Sequence, residues 1–166
     1  DLQTDLNLKL SGEFNKENAA AARAAAKELG ISEEKIKIAL EKIESVPGRL
    51  EYVQKEPFSV IVDYAHTPDA LRKVYETLKN LAPSSLPLAP KLICVLGAAG
   101  GGRDKWKRPE MGKIAKEYCS DIILTNEDSY DEDPHQILLD IESGISNFQF
   151  PISKILDRRK AISEAL

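Results

Sequence analysis

Four short, almost wholly apolar segments, "FSVIVDY", "KLICVLG", "DIILT" and "ISKIL", alternate after Leu50 with three stretches of helical periodicity. That alternation predicts an α/β fold, a Rossmann-like and mostly parallel sheet whose strands are buried on both faces. Two helical stretches ahead of Pro47 and Gly48, with no strand between them, predict a separate helical piece before the sheet.

Size and charge narrow the class. A chain of 166 residues fits one domain plus part of another. Its 23 basic and 27 acidic residues leave a net charge of -4, which excludes a general binder of nucleic acid or anionic membrane. The two cysteines, Cys94 and Cys119, lie in or beside apolar segments and read as buried thiols of a reducing compartment. No leader opens the sequence as given, and no apolar run nears the ~20 residues of a membrane helix, so the expected location is the cytoplasm.

Taken in order, "DLQTDLNLKLSGEF" alternates apolar and polar residues and predicts an edge strand ending at Gly12. "NKENAAAARAAAKELG" predicts a helix with Asn15 as N-cap and Gly30 as its stop. Ser32 caps a second helix, whose Ile36, Ala39, Leu40 and Ile43 form one apolar face. Pro47 and Gly48 end it and mark a hinge. Three later helices each present one stripe to the sheet: Leu71, Val74, Tyr75 and Leu78; Met111, Ile114, Ala115 and Tyr118; Ile137, Leu138, Ile141 and Ile145. "APSSLPLAP" is a loop, and the sequence stops inside a helix capped by Asp157, as a fragment would.

Parallel sheets bind ligands beyond the carboxyl ends of their strands, so the polar residues there are the candidates. Asp63, Tyr64 and His66 follow the first strand, where Thr67, Pro68 and Asp69 supply a cap, a helix-starting proline and a first-turn acid. The junction reads either as a capped helix or as a ligand site, and the imidazole favours the latter. "GAAGGGRDKWKR" follows the second strand: glycines admit an anion to backbone N–H groups, and Arg103, Lys105, Lys107 and Arg108 add cations. A flexible loop with solvated charges is the alternative, and neither a Walker A loop nor a dinucleotide fingerprint is present. After the third strand, "NEDSYDEDP" offers Asp133 as a cap and leaves Glu127, Asp128, Asp131 and Glu132 as either solvated or functional acids. Asn15 and Asn18 are open to the same choice between capping and binding.

Together, "GEFNKENAAAA", "VPGRLE", "VDYAHTPDAL" and "GRDKWKRPEMGKIA" resemble the ATP-dependent Mur ligases of peptidoglycan synthesis, nearest the E-type, tripeptide-forming members. The resemblance implies that residues 1–48 end a central ATP-binding domain and that 49–166 are a truncated C-terminal Rossmann-like domain. It places Asn15 and Asn18 near adenine, Arg49, Asp63 and His66 near ribose and phosphates, and Arg103 on the carboxylate of the incoming amino acid. Glu127, Asp128 and Tyr130 align with the motif that reads that amino acid's side chain. The implied substrates are ATP, UDP-MurNAc-dipeptide and a free amino acid, joined through an acyl phosphate. The phosphate-binding loop, activating lysine and Mg2+ ligands of such enzymes precede this stretch, so no catalytic or metal-binding residue is expected in it.

One departure bears on specificity. The Asp-Asn-Pro-Arg motif of diaminopimelate-adding members aligns with Glu127-Asp128-Ser129-Tyr130, so its arginine is absent. Four nearby acids predict a preference for lysine or ornithine. Other readings are a related ligase of the cyanophycin synthetase or folylpolyglutamate synthase type, and a non-catalytic module binding a nucleotide or an amino acid.

Overall fold

An alanine-rich run has little side-chain entropy to lose on coiling, and it forms α1, Glu13–Glu28. Gly30 ends it at φ +77°. The Gly30 N–H meets the Lys27 carbonyl and the Ile31 N–H the Ala26 carbonyl, the paired bonds of a Schellman stop. Asn15 is not the N-cap: Gly12 holds that place, so Asn15 falls in the first turn. Ser32 occupies the N-cap of α2, Glu33–Lys42, without a side-chain bond.

The computed structural model describes residues 6–81, 91–146, 149 and 152–166. Part of the expected edge strand, residues 1–5, and the loop at 82–90 lie outside them. Two compact units make up the chain, Asp1–Ala65 and His66–Leu166.

In the first unit, residues 6–10 keep the alternating exposure of a strand but form none. The Asn7 N–H instead goes to the Glu41 carboxylate at 2.9 Å. The apolar face expected on α2 is covered only at Ile36, with Ala39 and Ile43 exposed. Val46-Pro47-Gly48-Arg49 is a tight turn, closed by the Arg49 N–H on the Val46 carbonyl at 2.9 Å. Proline at its second place and glycine at φ +67° at its third fit a type II turn. β1, Glu51–Gln54, then pairs antiparallel with β2, Val60–Val62, through a bulge between Tyr52 and Gln54.

That pairing corrects the sequence reading, which put "FSVIVDY" in the parallel sheet. A short apolar run does not declare its partner, and "EYVQ" is too polar to stand out as a strand. Val62 is exposed, as in a two-stranded ribbon with one uncovered face.

The second unit bears out the α/β expectation. α3, Pro68–Leu81, leads to β3, Ile93–Leu96; α4, Lys107–Tyr118, to β4, Asp121–Leu124; α5, Pro134–Glu142, to β5, Ile152–Lys154; and α6 spans Arg158–Ala165. The strands are parallel in the order β3-β4-β5. Only central β4 is buried on both faces, through Ile122, Ile123 and Leu124; in β3, Ile93 remains 45% exposed because a three-stranded sheet has two edges. The three helical stripes fall where periodicity put them, with Leu71, Val74, Tyr75, Met111, Ile114, Ala115, Ile137, Leu138, Ile141 and Ile145 buried. Leu78 and Tyr118 are half-buried at stripe ends. α4 packs on both α3 and α5. Cys94 and Cys119 are buried free thiols. No described helix is long and apolar enough to cross a membrane.

Candidate functional site

Four expected nucleotide-side residues lie in the first unit. Asn15 is buried, and its Nδ2 donates to the Ser11 carbonyl at 2.7 Å. Asn18, one turn on and exposed, reaches the Asn15 Oδ1 at 3.5 Å. The pair thus presents one amide outward and one inward. The Arg49 guanidinium stacks 4.8 Å from the centroid of the Tyr64 ring, which holds an exposed cation in place.

Asp63 turns out to be the most committed of the four. Its Oδ2 accepts the Leu50 N–H at 2.8 Å, and its Oδ1 accepts the Ala65 N–H at 2.7 Å. Leu50 sits at φ +45°, a left-handed conformation that costs a branched residue energy and needs outside support. The carboxylate therefore ties the Pro-Gly turn to the end of β2, and each oxygen keeps a further lone pair.

His66 opens the second unit and is exposed. Next to it, Thr67 Oγ1 accepts the Ala70 N–H at 3.3 Å, and Pro68 is the first residue of α3, as the sequence implied.

At the carboxyl edge of β3 and β4 two loops meet. The Gly100 N–H donates to the Asp128 carbonyl at 2.8 Å. A Cβ on Gly100 would lie 2.1 Å from the Ser129 carbonyl oxygen, so this approach requires glycine. Gly101 lies against the Tyr130 ring, and Tyr130 itself is at φ +52° and 67% exposed. The expected amino-acid residues Arg103, Glu127, Asp128 and Tyr130 all stand on these two loops.

The cation run divides. Arg108 is fully buried: its Nη1 donates to Glu132 Oε2 at 3.0 Å and to Asp140 Oδ2 at 2.9 Å, and its Nη2 to Glu132 Oε1 at 3.1 Å and to the Ala99 carbonyl at 3.2 Å. Lys105 also pairs with Glu132, at 2.9 Å. Arg103 is exposed and makes no ion pair among the described residues. Burial opposes the charge on Arg108, but its two carboxylate partners outweigh this and raise its pKa. In return Arg108, and then Lys105, hold the Glu132 carboxyl down to about 2.

The acidic loop is less acidic than its composition implied. Glu132 is spent on Arg108, Asp133 caps α5 through the His135 N–H at 3.0 Å, and Glu127 pairs with Arg158 at 3.0 Å. The sequence reading passed over Arg158, which no periodicity marks. Arg108 was legible in principle, since positions 108, 111 and 115 share one helical stripe. Among the described residues no group of three or more His, Cys, Asp or Glu could hold a metal ion. His135 is exposed.

Known proteins resemble this chain in sequence and in fold. The chain is 45% identical to the UDP-N-acetylmuramoyl-L-alanyl-D-glutamate--2,6-diaminopimelate ligase of Aquifex aeolicus, over 98% of its own length and 32% of that protein's. The like-named Syntrophomonas wolfei protein is 42% identical over 97% of the chain and 32% of its own length. The chain thus spans about a third of these curated relatives. A solved structure of a like-named ligase superposes with a TM-score of 0.63 at 36% identity, covering 96% of this chain and 31% of that one. Mycobacterium tuberculosis folylpolyglutamate synthase, complexed with ADP and AMPPCP, gives a TM-score of 0.75 at 21% identity over 98% of this chain and 35% of that one, a likeness of fold alone. The family model for the "Mur ligase, glutamate ligase domain" matches residues 48–166, most of the chain. The resemblance first drawn from four motifs therefore holds over fold and sequence alike, and the chain belongs to the Mur ligase family.

Proposed function

We propose that the protein carrying this chain is an ATP-dependent amide ligase of peptidoglycan synthesis that adds the third amino acid to UDP-MurNAc-dipeptide. The carrying observation is the pair of strand-end loops joined by the 2.8 Å bond from Gly100 to Asp128, in a chain 45% identical to a diaminopimelate ligase. In this reading residues 1–48 finish an ATP-binding domain, residues 49–166 receive the amino acid, and the protein works in the cytoplasm.

The γ-phosphoryl group of ATP passes to the dipeptide carboxylate, giving an acyl phosphate and ADP. The amine of the amino acid then attacks the acyl carbon; the C–N bond forms and phosphate leaves. This chain binds and orients. Asn18 offers its exposed amide to the adenine edge with the inward-turned Asn15 behind it, Asp63 offers its remaining lone pairs to ribose hydroxyls, and Arg49 and His66 face phosphate charge. Arg103 takes the α-carboxylate of the amino acid as a fork, which aims the amine. Mg2+ would supply charge neutralisation on the transferring group, and the described residues offer it no cage.

Glu127, Asp128 and Tyr130 meet the distal end of the amino acid. With Glu127 and Glu132 both carrying guanidinium partners, the field that favoured lysine or ornithine is weaker than a count of acids implied. We therefore read the incoming amino acid as 2,6-diaminopimelate, the substrate in the relatives' names. The test is purified full-length protein with ATP, magnesium, UDP-MurNAc-dipeptide and diaminopimelate. Phosphate release with a product heavier by one diaminopimelate residue is expected, and its absence sinks the assignment. Residues 1–166 alone contain no Gly-Lys-Ser/Thr loop and should release no phosphate.

A further inference from the structure

The ligase chemistry leaves the most deeply buried charge among the described residues without a task. Arg108 lies at the start of α4, and none of its contacts is to a group assigned to substrate. Its guanidinium instead reaches three separate pieces of the second unit: the Ala99 carbonyl in the glycine loop, Glu132 at the end of the loop after β4, and Asp140 on α5. Both loops are thus fastened at their roots to one planar group, and they touch again nearer their tips, where Gly100 meets Asp128. Arg103 lies between Gly100 and Arg108 on the first loop, and Ser129 to Asp131 lie between Asp128 and Glu132 on the second, with Glu127 just ahead of them.

We propose that Arg108 is a positioning residue for the amino-acid site, holding the two strand-end loops in register so that Arg103 and the Glu127–Tyr130 stretch face the same substrate. A lysine cannot replace it, because an ammonium is a point charge and does not bridge a bidentate carboxylate, a second carboxylate and a carbonyl at once. A hydrophobic side chain would fill the space but leave Glu132 with Lys105 alone and Asp140 with only the Gln136 amide. The bidentate bond to Glu132 fixes the orientation as well as the distance.

This inference rests on the ligase reading for its kinetic arm but not for its exchange arm. The experiment compares full-length wild type with Arg108→Lys and Glu132→Gln, the second at a half-buried rim position, so a folded variant remains if the first does not fold. Misplacing a substrate-holding group by about 1 Å can cost ~100-fold, so the KM for the amino acid should rise about tenfold or more while that for ATP stays within about twofold. Amide exchange at Gly100 should quicken while Cys94 and Ile123 in β3 and β4 stay protected. A general loss of structure would move all amides and both KM values together, and that result overturns the proposal. So does unchanged exchange at Gly100. If wild type forms no amide at all, the ligase assignment falls, and the exchange arm still decides whether Arg108 sets the loops.

Discussion

Arg158 in the first turn of α6 holds Glu127 at 3.0 Å, with the same Nη2 donating to the Asn126 carbonyl. One guanidinium thus fastens the end of β4 to the helix that follows β5, and it cancels the acid nearest the carboxyl edge. Both side chains are nearly half exposed, so the pair contributes about 0.2 to 1 kcal/mol. Arg158→Ala in the full-length ligase should therefore move the choice between lysine and diaminopimelate toward lysine by roughly two- to fivefold. Mass spectrometry of products from an equimolar mixture measures it, and a shift toward diaminopimelate would reject the charge argument.

Glu132 makes a pH prediction. Its folded pKa is held down to about 2, below the unfolded value near 4.5, so its ionised form favours the folded state. That contribution is fully present above about pH 4.5 and is lost as pH falls through about 2. Urea midpoints of wild type and Glu132→Gln should differ most above pH 5 and converge toward pH 2; parallel curves throughout would show that the ion pair does not couple to folding.

Close backbone packing sets the third expectation. A Cβ at Gly112 in α4 would sit 2.1 Å from the Ile141 carbonyl oxygen, and one at Gly144 1.9 Å from that of Pro109. Alanine is the better helix former by about 0.8 to 1 kcal/mol, but overpacking costs about 1 to 3 kcal/mol when the neighbour is backbone and cannot rotate away. Gly112→Ala should lower stability by up to about 2 kcal/mol in denaturant titration, and a stabilised variant would mean that α4 and α5 part without cost.

At the junction after β2, Asp63→Ala and His66→Ala should behave differently. The first strips acceptors from the Leu50 and Ala65 N–H groups, each bond to a carboxylate being worth about 1.5 to 3 kcal/mol, so it should destabilise as well as weaken ATP use. His66→Ala should raise the KM for ATP with a smaller fall in melting temperature than Asp63→Ala. Equal melting temperatures for both variants would remove the structural role assigned to Asp63.

How much of this was written in the sequence depended on how local the signal is. Caps and stops are local, so Thr67, Asp133, Asp157 and Gly30 were found from neighbours within four residues. Helical stripes are nearly as local, and they named most of the core. Pairing is not local: "FSVIVDY" was read as a parallel strand because its partner, Glu51–Gln54, is too polar to attract notice. The site divided the same way. Both strand-end loops were visible as glycines and charges, but their connection was not. Arg103 and Arg108 belong to one basic run in the sequence, yet one is exposed and the other fully buried on carboxylates 24 and 32 positions away.

The two buried thiols give this chain a built-in chemical clock. Cys94 in β3 and Cys119 just before β4 are each 6% exposed, and the hydrogen bond with Cys94, together with burial, keeps the Cys119 thiol protonated far beyond its usual range. A closed sheet shields both sulfurs from an alkylating reagent; at Cys119 the thiolate is withheld as well, whereas the hydrogen bond with Cys119 lowers the Cys94 pKa and leaves burial as its protection. Labelling therefore waits for the strands to part, and its rate at saturating reagent is the opening rate of the sheet.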